Sequence, residues 1–224
     1  MPAESLPRSI PVVGGSVSAL LRVPPDARAL LVLAHGAGAG MHHRFLEELS
    51  RRLAAAGIGT LRYQFPYMER RERRTDSPAV AAATVRAACE LARAEAPTLK
   101  RVAGGKSFGG RMTSAAQAEA PLPGVSGLAF FGFPLHPPGR AGIQRAEHLS
   151  RVQVPMLFLQ GSRDEFAEPT LLRGVIGDLG PLGTLHVVEG GDHSFAVLKR
   201  SGRTAEEVWT ELIETTMTWI DGLL

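Results

Sequence analysis

Cysteine is almost missing from this chain. Cys89 is the only one in 224 residues, so no internal disulfide can form and the cytoplasm is the expected compartment. It lies in an alanine-rich helical pattern with no histidine near it, the setting of a packed thiol rather than a nucleophile. Charge of one sign is also lacking: 25 Lys and Arg face 22 Asp and Glu, a formal net charge of +3. Aromatic residues make up 6%. A nucleic-acid binder would show a basic stripe with interleaved aromatics, and none is present. The one dense basic run, Arg70, Arg71, Arg73 and Arg74 around Glu72, reads as a solvated segment or an anion-attracting rim. No apolar run approaches the roughly 18 residues of a membrane span, so no membrane partner is expected. The first residues show no basic stretch followed by an apolar one, so no secretory leader is expected. The seven histidines do not form ligand spacings with carboxylates or cysteines. Neither a metal nor a cofactor is expected.

What the chain does have is the composition of a soluble globular protein, with 44% hydrophobic and 21% charged residues. Its length suits a single domain over residues 1–224. Apolar runs and helical periods alternate. Strands are expected at 17–23, 29–34, 58–65, 100–104, 125–133, 154–160 and 184–189. Helices are expected at about 43–56, 78–95, 112–120, 168–177 and 204–221. Continuous apolar strands such as "ALLVLA" at 29–34 suit burial on both faces. The order implies an α/β fold, a mostly parallel sheet with helices on both faces. The stretch between the strands at 125–133 and 154–160 is too short for a lid domain.

In such sheets chemistry gathers at the carboxyl ends of the strands. Three of those ends carry the residues of acyl transfer. Gly105-Lys106-Ser107-Phe108-Gly109 is a G-x-S-x-G pattern between a short strand and a helix, as a nucleophile elbow requires. Asp164 follows the strand 154–160, with Glu165 as a neighbouring alternative acid and Asp178 less well placed. His193 follows the strand 184–189 in a glycine-rich loop, and the side chain of adjacent Asp192 is expected to point away from it. A serine hydroxyl is a poor nucleophile at neutral pH. His193 would take its proton, and Asp164 would hold the imidazole in the right tautomer. The chain order Ser, Asp, His is the order of this architecture. Backbone N–H groups of Phe108 and Ala37 are the expected oxyanion donors. His35 reads as a loop-ordering residue. Two phosphate-binding readings fail. "GGKS" lacks the glycine a Walker A loop needs at position 100, where Lys100 stands, and "GAGAG" is not G-x-G-x-x-G.

These segments together carry a family resemblance. "HGAGAG" at 35–40, "FPYM" at 65–68, "GGKSFGGRM" at 104–112, "FPLHPPG" at 133–139, "LQGSRDEF" at 159–166 and "GGDHSF" at 190–195 resemble the small lidless α/β-hydrolases related to dienelactone hydrolases. Within them the chain is similar to the group that includes the testis-expressed hydrolase-like proteins. Glu165 stands where that group carries proline. The resemblance implies the α/β-hydrolase fold, the triad Ser107, Asp164 and His193, and the donors Phe108 and Ala37. It does not imply a substrate.

Phe65, Tyr67, Phe133, His136 and Phe195 lie at the same sheet edge and are expected to line a substrate pocket. The expected activity is cleavage of an ester, thioester or related acyl bond of a small substrate. A non-catalytic scaffold of the same fold, or an acyltransferase or perhydrolase with the same triad, are the alternatives.

Overall fold

A computed structural model describes residues 3–223 of the chain. Its strands are β1 (Leu6–Val12), β2 (Gly15–Arg22), β3 (Ala29–Ala34), β4 (Ile58–Tyr63), β5 (Lys100–Lys106), β6 (Val125–Phe131), β7 (Met156–Gly161) and β8 (Gly183–Val188). Its α-helices are α1 (Arg44–Ala55), α2 (Pro66–Glu69), α3 (Pro78–Glu95), α4 (Phe108–Glu119), α5 (Pro169–Asp178) and α6 (Ala205–Asp221). The strands form one sheet in the order β1-β2-β4-β3-β5-β6-β7-β8. The β1–β2 and β2–β4 pairs are antiparallel and all others are parallel.

Side-chain alternation on the strands divides the interior in two. Leu30, Val32 and Ala34 of β3 join Val85, Ala88 and Cys89 of α3 and Met112 and Ala116 of α4. Ala29, Leu31 and Leu33 face the other way, onto Leu46, Leu49 and Leu53 of α1 and Leu212 of α6. Helix boundaries follow local chemistry. Ser77 caps α3 through the Val80 N–H and Pro78 occupies the first turn, where its missing N–H costs nothing. Thr204 and Glu207 form a reciprocal capping box on α6. Between β6 and β7 the described chain holds only a 3₁₀ turn at Glu147–Arg151, with no inserted domain.

Several expected boundaries need correction. Strand β1 was not expected: Pro7 and Pro11 and a mixed exposure pattern hide its period. The strand expected at 58–65 ends at Tyr63, and that at 125–133 ends at Phe131. Helix α4 starts at Phe108, not Met112. Gly109 and Gly110 are poor helix formers, but both are buried there by tertiary packing.

The sheet grows one way from β3 to β4 and the other way from β5 to β8. The topological switch therefore falls between β3 and β5, where open α/β sheets place their sites.

Candidate active site

Ser107 stands at that switch. It is the single residue between the last residue of β5 and the first of α4, with φ 51° and ψ −117°. This backbone region is strained for any residue with a Cβ. Close packing on both sides holds it. A Cβ on Gly105 would approach the Ala34 carbonyl oxygen to 2.5 Å, and one on Gly109 would approach that of His35 to 2.6 Å. Only glycine lets β5 and α4 lie this close to the end of β3.

The imidazole of His193 meets both expected partners. Its Nε2 lies 2.9 Å from Ser107 Oγ, and its Nδ1 lies 2.7 Å from Asp164 Oδ2. The Asp164 carboxylate has no exposed surface. Its charge is met by three donors: Nδ1–H of His193, the amide of Gln160 at 2.5 Å and the Phe166 N–H at 2.9 Å. A buried carboxylate needs such partners. Glu165 and Asp178 are exposed, and neither touches the imidazole. Asp192 turns away, its Oδ1 accepting the N–H groups of Ser194 and Ala196 in its own loop.

Gln160 was not singled out by the sequence, since nothing marks a glutamine at the end of an apolar strand. Its amide donates to Asp164, and its Oε1 accepts the Phe133 N–H at 2.8 Å. Gln160→Leu strips a donor from the carboxylate and leaves a buried N–H unpaired. We expect a loss of about 1–3 kcal/mol in urea unfolding, together with reduced turnover. Unchanged stability and rate would show that both groups find other partners. Phe166 was also missed. Its partly exposed ring lies 4.4 Å, centroid to centroid, from the His193 ring.

The loop after β3 lies beside the nucleophile. The Cβ position of Gly36 is 3.8 Å from that of Ser107, which brings the Ala37 backbone to the same side. The loop is pinned from below. His35 Nδ1 bonds its neighbour's carbonyl, Gly36 O, at 2.7 Å, and its Nε2 accepts the Phe65 N–H at 3.1 Å. These contacts assign the neutral Nδ1–H tautomer. Tyr67 Oη accepts the Gly38 N–H at 2.9 Å. Phe108 is the first residue of α4, so its N–H is one of the helix's orphan donors.

Burial lowers the His35 pKa from 6.5 to about 4, against a smaller opposing effect of the Gly36 carbonyl. The unfolded chain therefore binds this proton first as pH falls. The stability from neutral His35 is complete above pH 6.5 and is lost between there and pH 4, a change of about 3 kcal/mol. Urea unfolding at pH 7 and pH 4.5 measures it, and His35→Gln should show a shallower slope.

The pocket expectation is corrected for four residues. Phe65, Tyr67 and Phe133 have no exposed surface and cannot line an open pocket. Phe65 packs edge-on against His35 and Phe108, and Phe133 packs against Phe130 and Phe158. His136 is also buried. Its Nδ1 bonds Pro137 O at 2.9 Å and its Nε2 accepts the Glu168 N–H at 2.8 Å, so it pins the segment after Asp164. Phe195 lines a different space, a cleft of about 640 Å³ with Phe45, Lys106 and Trp209 in its walls. In the basic run, Arg70 is held by Glu72 and Asp76 at 2.8 and 3.2 Å. Among the described residues, no His, Cys, Asp and Glu side chains gather in a group able to hold a metal ion, and no helix is long and apolar enough to cross a membrane.

Known structures share this arrangement of elements. A dienelactone hydrolase from Anabaena variabilis superposes with a TM-score of 0.78 at 18% identity, over 99% of each chain. A serine hydrolase without lid from Xanthomonas campestris gives 0.74 at 24% identity, over 98% of this chain and 96% of that one. The esterase domain of a Rhodothermus marinus protein gives 0.71 at 16% identity, over 96% and 97%. At these identities the likeness speaks for the fold. The family model of an alpha/beta hydrolase domain matches residues 27–221, and on that match the chain belongs to the α/β-hydrolase family.

Proposed function

We propose that this protein is a serine hydrolase that cleaves a carboxylic ester or thioester of a small acyl substrate. One observation carries the reading: a single imidazole bridges Ser107 Oγ at 2.9 Å and Asp164 Oδ2 at 2.7 Å. Both lie within hydrogen-bond reach, so a proton can pass from hydroxyl to imidazole without rearrangement.

In this reading Ser107 Oγ attacks the acyl carbon while its proton moves to His193 Nε2. The N–H groups of Phe108 and Ala37 receive the oxyanion, supported by the positive end of α4. Collapse expels the alcohol or thiol, which takes the proton from His193 and leaves an acyl group on Ser107. Water then attacks that ester, giving its proton to His193. The acid leaves and Ser107 regains its hydrogen. Asp164 stays ionised and stabilises the imidazolium throughout. The lack of an inserted domain between β6 and β7 favours short or polar acyl groups over long lipids.

A fluorophosphonate should add to Ser107, seen as a mass adduct on the peptide that contains it. Short-chain nitrophenyl esters should be hydrolysed faster than long-chain ones. A protein that neither labels nor turns over any ester would be a scaffold that merely retains the fold.

A further inference from the structure

The residue before the nucleophile is a lysine, and the chemistry above makes no use of it. Lys106 closes β5 in register with Phe131, which places its side chain on the α1 and α6 side of the sheet. There it is only 9% exposed. A long apolar side chain would fill this space without the cost of burying a charge, so the ammonium needs an explanation.

Its surroundings supply one. Nζ donates a short hydrogen bond to the main-chain carbonyl of His193. It also lies 5.5 Å from the centre of the Phe195 ring and 5.8 Å from that of Phe45, within cation–π range. Those two rings stack, 5.8 Å apart and 17° from parallel. Phe195 holds φ at 64°, a strained value for a residue with a Cβ. A Cβ on Gly132 would come within 2.8 Å of Nζ and 3.4 Å of His193 Cε1, so the ammonium and the imidazole both pack against this glycine.

We propose that Lys106 is a positioning residue: its ammonium ties the strand that carries the nucleophile to the loop that carries the base. The inference rests on the hydrolase reading above. Lys106 and His193 lie 87 residues apart in sequence, and this one side chain fixes the backbone from which the imidazole reaches Ser107. Two carboxylates, Asp164 and Asp192, favour the charged form, while burial opposes it more strongly and sets the pKa at about 8. The cleft is also lined by His43, Arg44, Glu47 and Glu48. The clamp is therefore complete only well below pH 8 and loosens as pH rises through it.

The test uses Lys106→Met, which keeps the length and removes the charge, and Lys106→Arg, which keeps the charge. We expect the Met variant to fold and to lose about 10²-fold in kcat with little change in KM, the signature of a misplaced catalytic group. The Arg variant should recover part of that loss. The wild-type rate should fall on an alkaline limb near pH 8 that the Met variant lacks. Wild-type kcat and alkaline limb in a folded Met variant would overturn the proposal. A readout that leaves Lys106 intact and needs no substrate keeps it testable if substitution there unfolds the chain or no ester is cleaved. The His193 ring resonance, assigned with His193→Gln, should shift as the Lys106 ammonium loses its proton near pH 8. A ring that passes through that range unmoved overturns the clamp, whatever the fate of the hydrolase reading.

Discussion

Replacing Ser107 by alanine should lower turnover of a short-chain nitrophenyl ester by a factor on the order of 10⁶. The size follows from the role. Without Oγ there is no acyl-enzyme, and His193 has nothing to deprotonate. What survives is the catalysis that the oxyanion donors and binding alone can give to attack by water. His193→Ala should cost about as much, and the double variant little more, because the two groups act as one unit. Asp164→Asn should cost about 10⁴, because an amide N–H donating to Nδ1 holds the imidazole in the wrong tautomer, with its proton on Nε2. Equal rates in Ser107→Ala and wild type would dismiss the mechanism, whatever the geometry.

Gly104→Ala should be the most destabilising single-methyl change in the chain. Gly104 sits in the middle of the sheet, paired with Leu33 of β3 and Ala129 of β6. A Cβ there would lie 1.8 Å from the Ala129 carbonyl oxygen and 2.8 Å from its carbon. Both are backbone atoms, held by ladders that fix the strand spacing, so neither can turn aside as a side chain would. A loss of about 4 kcal/mol or more is expected, lowering Tm by on the order of 10 °C in a chain of this size. Gly177→Ala is the control. It lies in α5 with nothing within 4 Å of its Cβ position, and the change should raise stability by about 0.5–1 kcal/mol. Thermal unfolding of both variants measures the contrast.

The sequence exposed the fold where hydrophobic pattern and punctuation agree. Strand β3 is apolar along its length, β7 is apolar as far as Gln160, and both are buried throughout; helices α3 and α6 carry a clear helical period. Strand β1 was illegible because an edge strand with one half-solvated face and two prolines has no clean period. Ser107, Asp164 and His193 could be named because each follows a strand end, and a parallel sheet brings such ends together. The pocket could not be read the same way. Position at a strand end does not tell which way a ring turns, so Phe65, Tyr67 and Phe133, which have no exposed surface, looked no different from residues on view. Gln160 and Lys106 were hidden for a related reason. Each touches its partner through a hydrogen bond that no spacing rule encodes.

The two-sided interior also bears on engineering. Because the sheet is a continuous wall of backbone, a change among the α3 and α4 contacts shares no neighbour with one beneath α1 and α6. Gains found separately in the two compartments should simply sum when combined. Pairs drawn from one compartment have to be measured jointly, since they compete for the same space.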